Sequence, residues 1–170
     1  GDFERAEEAL KLLPRTPTSD ALRLFLQGRI AMAEQHLDDA IVHFEKARRF
    51  MGESVGMLER TDLALARCHS AQQNSAAQLA DFRRILKYNP KSVAGRIGLA
   101  ASHLKKGQLP QAIAEYKQLS HLPQIRLLLV RLLLVQNMQL PEIARDWREI
   151  QILLDQAKEA GDRPTEVVLL

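Results

Sequence analysis

The sequence predicts an all-α fold of antiparallel helix pairs, about nine helices in all, and three observations carry it. The first is composition. Aromatic residues make up 5% of the chain while Leu and Ala dominate, a balance that favours helices over a β-sandwich. The second is Val93–Leu119, VAGRIGLAASHLKKGQLPQAIAEYKQL, which reads as two amphipathic helices folded back on each other. Gly107 closes the first of them and Pro110 opens the second. The third is recurrence at offsets of three, seven and ten residues. The sets are Phe3, Ala6, Leu10, Leu13; Leu37, Ala40, Phe44, Ala47; Ser75, Gln78, Phe82, Ile85; Leu109, Ala112, Tyr116, Leu119; and Trp147, Ile150, Leu154, Ala157. Their first members stand 34, 38, 34 and 38 residues apart.

Taken in order, helices are expected over roughly 2–13, 19–35, 37–51, 56–73, 75–88, 92–106, 109–121, 124–138 and 141–160. Pro14 and Pro17 end the first, because a ring without an N–H cannot continue the ladder. Thr18-Ser19-Asp20 offers caps for the second, and Gly28 within it is the small residue that lets two helix backbones approach. The two spacings of 38 each carry four extra residues, about one helical turn, expected around Gly52–Leu58 and Asn137–Glu142. Ile125–Val135, IRLLLVRLLLV, is too short to span a membrane and carries Arg126 and Arg131, so it reads as a buried core helix. Pro164, followed by Thr165-Glu166-Val167-Val168-Leu169-Leu170, reads as the start of a further helix. The terminal apolar groups, Phe3, Leu10, Leu13 and Val167–Leu170, are expected to expose surface and to support weak self-association.

A period of 34 with Leu99-Ala100, a ring at His103, then Ala112, Tyr116 and Leu119 resembles the tetratricopeptide repeat (TPR), with its Ala-x3-aromatic spacing. Gln27 and Gln78 depart from the family pattern, and only Pro90 fills its repeat-closing proline position cleanly. The resemblance implies a right-handed α-solenoid with a half repeat over 1–17, repeats over about 18–54, 55–92, 93–123 and 124–162, and a further repeat starting in 163–170. Read this way, the chain is a segment of a longer solenoid; frayed tails at both ends are the alternative. The resemblance further implies a concave groove lined by the first helix of each repeat. Its positions map onto Leu22, Phe25, Arg29, Arg60, Leu63, Arg67, Ile97, Leu104, Lys105 and, less regularly, Arg131. Phe25 and Arg29 stand where chaperone-tail binders of the family carry a Lys and an Asn, which disfavours that ligand.

Charge narrows the partner only slightly. The net charge is +3, with seven Lys/Arg against one acid in Asp81–Lys106 and seven acids against four bases in Leu140–Leu170. No Gly-rich phosphate loop, HExxH, CxxC pair or Gly-x-Ser-x-Gly elbow occurs, so no catalytic residue, cofactor or metal site is assigned. Carboxylates are assigned to solvated helix faces and helix starts. His69 and His103 occupy the same position of consecutive repeats, too far apart to share a metal without a third ligand, and read as packing rings. Cys68 reads as a small buried hydrophobe and Trp147 as core. The expected function is a non-enzymatic scaffold gripping a protein or peptide segment, an acidic one by charge, with no membrane contact. An RNA-binding helical repeat and a purely structural, self-associating segment are the alternatives. RNA is disfavoured because single-strand binders stack bases on exposed aromatics, and here Phe25 is the main candidate.

Overall fold

The computed structural model describes Glu4, Arg5, Glu8, Leu10, Leu12, Pro14 and residues 16–161. Among these it holds eight α-helices and no strand: α1 (Pro17–Ala33), α2 (Leu37–Phe50), α3 (Val55–Ala71), α4 (Ser75–Tyr88), α5 (Val93–Lys105), α6 (Leu109–Lys117), α7 (Pro123–Met138) and α8 (Arg148–Glu159). A short 3-10 turn, Glu142–Ala144, precedes α8. Of the helix expected over 2–13, the described Glu4, Arg5, Glu8 and Leu10 are helical, and the helix start at Pro164 lies outside the described residues. The chain divides into two compact units, one up to Gly95 and one from Arg96.

The repeat is written into the backbone of the turns. Gln35, Gln73 and Gly107 all adopt positive φ, at 64°, 58° and 69°, two residues beyond α1, α3 and α5. After each, the next N–H reaches back to a carbonyl five residues earlier: His36 to Ala31, Asn74 to His69, Gln108 to His103, at 2.8–2.9 Å. This Schellman closure satisfies the helix-end carbonyls and reverses the chain. Glycine, the residue best suited to that backbone, fills only one of the three positions. Thr16 caps α1 by accepting from Ser19 N, and Asn74 caps α4 by accepting from Ala77 N.

In the first unit, consecutive helices pack as stacked hairpins, and α1 also touches α3. Its core joins Ala21, Phe25, Ala40, Phe44, Ala47, Leu65 and Cys68. The Phe25 and Phe44 rings lie 5.7 Å apart and tilted. Gly28 is what permits this approach, since a Cβ there would meet the Phe44 ring at 2.7 Å. Leu10, expected to be exposed, is buried, and its carbonyl accepts from Arg23 Nε at 3.1 Å. Phe3, Leu13 and Val167–Leu170 lie outside the described residues.

The first of the two four-residue insertions is an added turn: α3 has 17 residues against 13 in α5. The second is not. Instead of a continuous helix over 141–160, the chain breaks after Met138 and resumes at Arg148. Asn137 holds the break, donating to Asp146 O at 2.6 Å and accepting from Asp146 N at 3.1 Å. Trp147 becomes the cap of α8, not part of the core, and is 44% exposed. Leu154 is exposed as well, because α8 buries Ile150, Leu153 and Ala157. The fifth set of the pattern thus keeps Ile150 and Ala157 inward, exchanges Leu154 for Leu153 and loses Trp147 from the core. The second unit packs Ile150 and Leu153 with Ile113, Tyr116, Leu119, Ile125, Leu128, Leu129, Val130 and Leu133. The helix expected to reach residue 121 ends at Lys117, and turns carry the chain to Pro123. No described helix is long and apolar enough to cross a membrane.

Candidate functional site

Arg29 on α1 and Arg67 on α3 occupy equivalent positions of consecutive repeats, 38 residues apart, as do Phe25 and Leu63. In the first unit, these four residues, Arg60 and Ala64 line one open pocket of about 260 Å³. Phe25, Leu63 and Ala64 form its apolar wall, while all three arginines are exposed at the rim. None of the three guanidinium groups has a hydrogen-bond or ion-pair partner among the described residues. The pocket lining contains no carboxylate, hydroxyl, thiol or imidazole.

Phe25 differs from its expected role. It is 9% exposed and packs on Phe44, so it supplies wall and not a platform on which a base could stack. Leu22 lies elsewhere, in an uncharged pocket of about 300 Å³ with Ala21, Phe50, Met51 and Met57. In the second unit, Ile97 and Leu104 pack partly buried against the core, while Lys105 and Arg131 are exposed.

The opposite side of α3 holds features that the sequence pattern does not reveal. Asp62 and Asp81, assigned by pattern to solvated faces, are completely buried. Asp62 accepts from Arg84 Nη1 at 2.8 Å and from the Tyr88 hydroxyl at 3.1 Å. Arg48 Nε lies 2.8 Å from the same carboxylate but is not aligned to hydrogen-bond it. Arg84 also reaches Asp81 at 3.2 Å, and Asp81 lies 2.7 Å from His69 Nδ1. His69 is therefore a partner to a buried acid as well as a packing ring, whereas His103 Nδ1 meets Gln108 at 2.8 Å.

Burial pushes both carboxyls above the usual carboxylate range, against the opposing pull of Arg48 and Arg84 on Asp62 and of His69 and Arg84 on Asp81. Burial, with Asp81 nearby, also raises the Cys68 thiol, which is the opposite of what a reactive cysteine needs. Tyr88 is raised by burial and by Asp62. One signal could have found the cluster: aligned by repeat, Asp62 and Asp81 fall where the next repeat has Arg96 and Glu115, themselves paired at 2.9 Å. Among the described residues no group of three or more His, Cys, Asp or Glu could hold a metal ion.

The fold is TPR-like. The chain is similar to the C-terminal TPR-containing domain of an FK506-binding protein from Plasmodium falciparum, with a TM-score of 0.54. Identity is 14% over 91% of this chain and 99% of that one, a likeness of fold. No family model matches the chain, and no curated protein matches it by sequence.

Proposed function

We propose that the chain is a non-enzymatic protein-interaction scaffold that takes an acidic protein or peptide segment on the α1–α3 face of its first unit. One observation carries this: three guanidinium groups with no partner among the described residues line a single pocket with an apolar wall. Arg binds carboxylates through paired N–H groups and is weakly hydrated, so it suits exposed recognition of anions. The wall of Phe25, Leu63 and Ala64 gives a bulky apolar side chain a place to bury, while the arginines set its register. Nothing in the lining can act as nucleophile or general base at neutral pH, which supports binding over catalysis. Self-association through the chain ends stays part of the proposal only as a secondary contact.

The test is a titration of the purified chain with a pool of acidic peptides and with mixed single-stranded RNA, at low and moderate salt. Binding of the peptides, weakened by salt and lost in Arg67→Glu with helicity intact, is the expected result. Preferential RNA binding with a steep salt slope would replace this reading with the nucleic-acid one.

A further inference from the structure

Arg60, Leu63, Ala64 and Arg67 sit at i, i+3, i+4 and i+7 on α3, so they form one stripe along a single helix face. The two arginines are separated by seven residues, about 10.5 Å along the axis. Arg29 faces the same pocket from α1. Resting on the acidic-segment reading above, we propose that the partner segment docks as an amphipathic helix. It carries carboxylates at i and i+7 and bulky apolar residues at i+3 and i+4.

Geometry selects the helix. A helical ligand places those four positions on one face with its charges about 10.5 Å apart, matching Arg60 and Arg67. An extended ligand shows only alternate residues to one side, at about 6.6 or 13 Å, so a helix matches the backbone spacing of the two arginines more closely. The pocket is also large enough for a helical anchor. An apolar cavity of about 150 Å³ already admits benzene, and here about 260 Å³ is open. Charge complementarity fixes the sign, because the lining holds three cations and no anion. The acids beside the stripe on α3 are engaged elsewhere: Asp62 is held by Arg84 and Tyr88, and Glu59 accepts from Asn89 and Ser92.

The experiment uses the whole chain and three peptides that share the same two Glu and two Leu. The matched helix has Glu at i and i+7 with Leu at i+3 and i+4. The second moves one Glu to i+5, about 140° around the helix from its partner. The third is interrupted by proline to stay extended. Fluorescence anisotropy at low salt should favour the matched helix over both others, by roughly two- to fivefold for each displaced ion pair. Arg67→Glu should lose a similar factor, and one of the two single Glu→Lys peptides should recover it, which also sets helix direction. Circular dichroism confirms that the variant remains folded. Equal binding of matched and shifted helices, or preference for the extended peptide, overturns the helical motif but leaves the acidic-segment reading standing. Failure of all three peptides to bind folded protein overturns both.

Discussion

In the first unit two carboxylates are buried between helices and met by Arg48, Arg84, Tyr88 and His69, all of them side chains. In the second, the buried polar groups include Arg126 and Asn137, and both donate to main-chain carbonyls. Arg126 donates to Ser120 O at 3.2 Å and approaches Gln156 O at 3.4 Å, carbonyls near the ends of α6 and α8. Asn137 pins the break before α8. The difference shows two uses of burial. Side-chain charge networks tie neighbouring helices to one another and fix which face of each turns inward. Main-chain capping instead tolerates irregularity, and the second unit is where the helix breaks and Trp147 and Leu154 leave the core. A buried charge that loses its partner is costly, whereas a lost main-chain cap is replaced in part by water.

The sharpest break in this comparison is Asp62→Ala. It removes the buried anion between Arg48 and Arg84, leaving them Glu45 and Asp81, and should destabilise by roughly 3 kcal/mol in urea unfolding. A loss below about 1 kcal/mol would mean that the network is idle. Next comes a pair of aromatic truncations. Phe82, buried in the first unit, should cost about 3 kcal/mol when replaced by Ala. Trp147→Ala, at a half-exposed cap in the second, should cost under about 1 kcal/mol. Equal losses would restore Trp147 to the core. Gly28→Ala should then cost roughly 1–3 kcal/mol through the clash with Phe44, and Phe44→Leu in the same chain should relieve part of it.

The smallest effect is the most diagnostic, because the two units should respond to acid with opposite signs. Asp62 and Asp81 have folded values raised above 3.8, so the native state holds their protons more tightly. Their contribution therefore improves as pH falls toward 3.8 and worsens as pH rises through the raised values. Asp146, whose carboxylate accepts from Arg148 side chain and main chain, is lowered to about 2. Its contribution is present above 3.8 and is lost as pH falls toward 2. Carboxyl carbon NMR titrations of the folded chain, resonance by resonance, check both directions. Asp62 titrating below Asp146 would reverse the comparison.

Sequence by itself determined the helix pairs, since apolar residues recurring near offsets of three, seven and ten, as in Ala40, Phe44, Ala47 and Ala112, Tyr116, Leu119, can bury together only in that form. It also determined the small position at Gly28 and the turn at Gly107, where backbone geometry admits few alternatives. The equivalence of Arg29 with Arg67 and of Phe25 with Leu63 followed from the period alone. Tertiary structure decided the rest. Periodicity reports which residues are apolar, so a carboxylate that is buried because Arg84 reaches it is invisible until α3 and α4 are placed together. The same limit hid the exposure of Trp147. Four added residues can extend a helix or break it, and the choice turned on Asn137 bonding the main chain of Asp146 across the gap. Whether an arginine is paired or free is likewise a fact of distance. Arg48 and Arg84 lie beside Asp62, and Arg29, Arg60 and Arg67 have no ion-pair partner among the described residues, although nothing in their residue type separates the two groups.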